Sequence, residues 1–85
     1  MALYAIFGTV ATADLDARVT QAFPEHYPIA PGQWVISYPA SLPNDVYQTM
    51  KNLGGDIRCI VSSLTYYYGW HDQALWVWME AHRGP

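Results

Sequence analysis

The sequence predicts an α+β domain with a four-stranded antiparallel sheet and a helix added at its C-terminal end. Three observations carry that prediction. Four short runs rich in strand formers, near Leu3–Gly8, His26–Ala30, Gln33–Tyr38 and Ile57–Leu64, alternate with helix-period segments. A proline-glycine pair sits between the second and third runs, where it makes a tight reversal. The 85 residues are 52% hydrophobic and 13% charged, a balance that folds compactly and is far from that of a disordered chain. At this length the chain is one domain, residues 1–85, with no repeat or linker to divide it.

Leu3 to Gly8 is too short for a helix, and its apolar residues give no polar face, so it reads as a central strand buried on both sides. Thr12 is the expected cap of a first helix. Asp14 and Asp16 suit its positive end, Leu15, Val19, Ala22 and Phe23 form its apolar stripe, and Pro24 stops it. Ala30-Pro31-Gly32-Gln33 is a type II turn, in which proline presets the first central position and glycine takes positive φ at the second. Pro28 cannot donate to a ladder, so the strand before this turn belongs at a sheet edge, and Trp34 to Tyr38 belongs inside. A simpler alternative leaves residues 25–32 as loop and the sheet with three strands.

Ser41 is the expected cap of a second helix with Pro43 in its first turn. Its stripe is Leu42, Val46, Met50 and Leu53, and Gly54-Gly55 ends it in a left-handed cap. Ile57 to Leu64 reads as a further buried strand, and Asp72 as the cap of a third helix with Leu75, Trp78, Met79 and His82 on one side. Strand, helix, strand, strand, helix, strand is the ferredoxin-like βαββαβ order, with two helices on one sheet face. The last helix is then available to cover the other face.

Chemistry leaves a fainter trace. His26, His71 and His82 lie far apart in the chain, and Cys59 has no partner at zinc spacing, so neither a metal site nor any cofactor is expected. Cys59 also excludes an internal disulfide and suits a reducing cytoplasm. The carboxylates fall at helix starts and turns, and Ser62-Ser63 has no adjacent base, so an enzyme is not expected. The N-terminus lacks the basic start of a signal peptide and no apolar run reaches a membrane span, so a soluble protein is expected.

Net charge is −3, with four scattered bases, Arg18, Lys51, Arg58 and Arg83, which argues against nucleic-acid binding by charge. Tyr4, Phe7 and Trp34 are the aromatics that an RNA-recognition or Cas2-like sheet would offer to bases. The aromatic surplus lies elsewhere. Residues 66–79 contain three of the four tryptophans and three of the seven tyrosines, more than one helix needs for its own packing. Tyr66, Tyr67, Tyr68, Trp70 and Trp76 are therefore the expected recognition residues, since Tyr and Trp dominate protein-binding hot spots. A homodimer contact is the nearest competitor.

Leu3-Tyr4-Ala5-Ile6-Phe7-Gly8-Thr9, Pro31-Gly32-Gln33-Trp34-Val35-Ile36 and Tyr67 through Trp78 resemble stretches of small bacterial and phage proteins. In size, acidity and exposed aromatics the chain is similar to anti-CRISPR proteins that inhibit type I surveillance complexes (Cascade). The resemblance implies a non-enzymatic inhibitor, cytoplasmic in a bacterial host, that binds a basic face of the complex and blocks target DNA. It also implies that Asp14, Asp16, Glu25, Asp45 and Asp56 meet Lys and Arg that otherwise hold phosphates.

Overall fold

In a computed structural model that describes residues 2–9, 12–65, 67–69, 71 and 73–82, the chain forms β1 (Ala2–Gly8), α1 (Ala13–Ala22), β2 (His26–Ala30), β3 (Gln33–Tyr38), α2 (Pro43–Lys51), β4 (Cys59–Ser63) and α3 (Gln73–His82). The four strands make one antiparallel sheet in the order β2-β3-β1-β4. This is the ferredoxin-like arrangement. β2 pairs along β3, so residues 25–32 are not merely a loop.

Strand alternation divides the side chains between two faces. Tyr4 and Ile6 of β1 and Ile36 of β3 meet Leu15, Val19 and Phe23 from α1 and its C-cap, with Val46 and Met50 of α2, and each of these residues is at most 1% exposed. Leu3 and Val35 point the other way and are covered by Leu75 and Met79 of α3. The third helix is thus a lid on the face that the first two leave open.

The turn after β2 is the expected one. Gly32 has φ of 78°, and its N–H donates to the Asp16 carboxylate of α1, as does Trp34 Nε1, at 2.9 and 2.7 Å. Asp16 therefore ties α1 to the hairpin. Arg18, buried between the two helices, pairs with Asp14 at 2.9 Å and donates to the carbonyls of Met50 and Gly55 at 3.4 and 2.6 Å. It closes the C-terminal end of α2, where Gly55 adopts φ of 94°.

Several expectations need correction. Thr12 occupies the N-cap position of α1 but its side chain makes no capping bond, because its methyl-bearing end is packed beside Gly8 and Gly32. Leu42, not Ser41, precedes α2, and Pro43 at the first turn presets the helix without a side-chain cap. Leu42 and Leu53 lie outside α2 and are exposed, so only Val46 and Met50 form its buried stripe. The last strand begins at Cys59 rather than Ile57 and is an edge strand, half-buried on the helix-pair face and exposed on the other. β1 is central, but its far end is open, with Phe7 39% exposed. Asp72 lies outside the described residues.

Candidate functional site

Only Gln73, Glu80 and His82 are polar in the sequence of α3, Gln-Ala-Leu-Trp-Val-Trp-Met-Glu-Ala-His. One turn-spaced pair, Leu75 and Met79, enters the sheet, and the two tryptophans diverge to either side of that stripe because they stand about 80° from it on a helical wheel. On the β2 side, Trp78 meets Tyr27 at 5.8 Å and stacks on His82 at 4.3 Å. His82 reaches Glu25 at 2.8 Å through Nε2, and its carbonyl accepts from the buried Ser37 hydroxyl at 2.6 Å. These contacts fasten the end of the lid.

Trp76 projects from the opposite flank. Its ring lies parallel to Tyr67, with centroids 6.2 Å apart, and is half-buried. Two open concavities adjoin it. One, of about 510 Å³, runs along the outer side of α3 between Gln73, Trp76, Val77, Glu80 and Ala81. The other, of about 250 Å³, lies between Trp76 and Tyr67, Tyr68 and Gly69. Tyr68 is fully exposed and Val77 is 59% exposed. Trp76 is therefore a shared wall, an aromatic plate with an apolar recess on each side.

Three of the expected recognition residues, Tyr67, Tyr68 and Trp76, come together here; Tyr66 and Trp70 lie outside the described residues. The acidic residues do not join them. Asp14 and Asp16 are on α1 and Asp45 is on α2, both packed on the opposite sheet face. Asp14 holds Arg18, Asp16 holds the hairpin, and Asp56, just beyond α2, accepts from Tyr47 and faces Lys51 at 3.4 Å. Glu25 holds His82. Asp45 is exposed and close enough to Tyr4 to add to the rise of its pKa, which burial causes first. The carboxylates thus serve mainly the architecture.

The aromatics proposed for base stacking also separate. Tyr4 is 1% exposed, with its hydroxyl donating to Ala40 at 2.7 Å, and Trp34 packs on the same helix-pair face, whereas Phe7 is on the other. No group of three His, Cys, Asp or Glu gathers at metal-binding distance among the described residues. Cys59 is half-buried, and burial raises its thiol pKa although Arg18 acts in the other direction. No helix is long and apolar enough to cross a membrane.

Val77, Glu80, Ala81 and Gln73 are the site residues that the aromatic count alone overlooks. Their signal was the lack of a polar stripe on α3, since a surface helix packed on one side only should show one. Comparison with protein-family models, curated proteins and solved structures finds no match to this chain.

Proposed function

We propose that this chain acts by binding another protein, without chemistry of its own, and that the Trp76 groove is the contact. The observation that carries the reading is the pair of apolar recesses on either side of Trp76, on a helix whose inner stripe is already satisfied by the sheet. A tryptophan held in place by a stacked tyrosine loses little freedom on binding, and such anchored aromatics supply most of the energy of small interfaces. The matching partner feature is an apolar side chain, or a short apolar helix, that seats beside the indole.

The resemblance to anti-CRISPR inhibitors gives this proposal its specific form. The partner is a basic face of a type I surveillance complex, approached under the field of a domain of charge −3 and held by Tyr67, Tyr68 and Trp76, and the consequence is blocked docking of target DNA. A charge of −3 is low for a mimic of duplex DNA, so the mechanism is occlusion of a DNA-reading surface. The test measures target-DNA binding by the purified complex with and without saturating wild-type protein, Trp76→Ala and Val77→Glu. Loss of DNA binding with wild type and its recovery with both variants is the expected result. Unchanged DNA binding with wild type overturns the DNA-blocking form, and inhibition undiminished in both variants overturns the groove.

A second reading, nucleic-acid binding on the sheet, draws on Phe7, the one proposed stacking residue that faces away from the paired helices and is exposed. Fluorescence anisotropy with labelled RNA and DNA at low salt separates the two, and absence of binding there removes it.

A further inference from the structure

The two edges of the sheet are guarded differently. On the β2 edge, Pro28 has no N–H to offer and the ladder to β3 is broken between Pro28 and Ala30, both of which discourage a further strand. The β4 edge has neither device. Its segment Cys59-Ile60-Val61-Ser62-Ser63 contains no proline and no charge, and among the described residues its strand partner is β1 alone.

The register identifies which main-chain groups are open. Leu64 N–H donates to the Leu3 carbonyl at 3.0 Å, so the pair Leu3–Leu64 continues the β1–β4 ladder in its hydrogen-bonded phase. Alternation then directs the N–H and C=O of Ile60 and Ser62 towards β1, and those of Cys59, Val61 and Ser63 outwards.

From this geometry we propose that β4 is a homodimer interface, pairing antiparallel with β4 of a second copy about a two-fold axis at Val61, to give one continuous eight-stranded sheet. This proposal is independent of the Trp76 groove. The outward set is symmetric about its middle member, so a single register places Val61 opposite Val61 of the second copy and Cys59 opposite its Ser63. All three outward N–H groups and all three outward carbonyls of each copy are then paired, whereas a shift by two residues leaves an outward position of each strand without its counterpart.

The side chains agree with that register. On one face Val61 meets its own counterpart and Cys59 meets Ser63; on the other Ile60 meets Ser62. The strand carries no charge to be desolvated or opposed in this pairing, and the one position that the axis sets against its own copy is the apolar Val61. Pairing also extends the sheet beyond Phe7 and Ile60, which are opposite each other in the β1–β4 ladder and are 39% and 55% exposed. The second copy is favoured over a foreign strand because a neutral edge offers a charged partner strand no counter-charge, whereas a second copy brings none to satisfy.

Two measurements test the proposal on the full chain. Light scattering from micromolar to millimolar protein should show the mass rise from 9.6 kDa towards twice that value, and Val61→Lys, which the axis would set against its own copy, should hold it at the monomer. A Ser63→Cys variant should form a covalent dimer on mild oxidation, through Cys59 of one copy and the new thiol of the other. Those two positions within one strand are about 13 Å apart, too far to join internally. Ser62→Cys, which this register sets opposite Ile60 and on the other face from Cys59, should cross-link far less. Strictly monomeric wild type at every concentration, or equal cross-linking of the two cysteine variants, overturns the proposal; both substituted serines are exposed, and circular dichroism of each variant verifies the fold.

Discussion

The two faces of the sheet are closed by different means, and the difference follows from dimensions. A helix with its side chains is about 10 Å across and strands are about 4.8 Å apart, so one helix covers roughly two strands. The face under α1 and α2 has two helices for four strands and its core residues are at most 1% exposed. The face under α3 has one. There Leu3, Val35, Leu75 and Met79 retain 3–6% exposure, the covered strands are those on the β2 side, and Phe7 and Ile60 towards β4 stay open. The first face is built for stability; of the candidate contacts, the Trp76 groove belongs to the incompletely closed side and the β4 edge borders both faces.

The largest expected effect sharpens that contrast. Phe23→Ala removes a ring that is fully buried and set edge-on to Tyr38 at 5.0 Å, and should cost about 3–5 kcal/mol in denaturant unfolding. Leu75→Ala on the lid should cost about 2 kcal/mol, because a helix held by one stripe can settle into the space. Equal losses would erase the distinction between the faces. Next in size, Arg18→Met should cost about 2 kcal/mol, since it removes the charged hydrogen bonds that tie α1 to the Met50 and Gly55 carbonyls and leaves Met50 with only the Leu53 N–H. Full stability in that variant would mean that α2 ends without help from α1.

Alkaline pH offers a smaller test. Burial raises the pKa of Tyr4 and Cys59 in the folded chain, so between the unfolded and folded values the native state holds more protons. The contribution of both groups is therefore complete below their ordinary values and is lost as pH rises through the folded ones. Unfolding free energy should fall above about pH 9, and Cys59→Ser should flatten the first part of the decline. A flat profile to pH 11 would show that neither group is held protonated by the core. The smallest effect belongs to the lid's fastening: His82→Ala should leave global stability within about 1 kcal/mol while speeding hydrogen exchange at the end of α3. Unaltered exchange there would mean that Leu75 and Met79 alone hold the lid.

Much of this architecture was legible in the chain. Pro28 announced an edge strand, Pro31-Gly32 announced the turn, and the 3.6-residue spacing of Leu15 with Val19 and of Val46 with Met50 announced two helices of one core. The candidate contact was legible in part, through Tyr67, Tyr68 and Trp76, because an aromatic surplus is a matter of composition. The acidic half of the expected contact did not join it. A sequence shows that Asp16 starts a helix, but not that the Gly32 amide and the Trp34 indole lie within reach of its carboxylate.

What the sequence by itself determined is everything set by local stereochemistry and periodicity: element types, the turn, and which side chains of a strand share a face. What only the tertiary structure decided is everything that depends on neighbours distant in the chain. Ile57 to Leu64 has the apolar content of a buried strand, yet sheet order places β4 at an edge with one face bare. Likewise α3 has tryptophans on two flanks, and the position of Tyr67 decides that Trp76 borders a groove while Tyr27 and His82 engage Trp78. The physical reason is that hydrophobicity demands burial without naming the surface that provides it, and that surface exists only once strands and helices have been laid against one another.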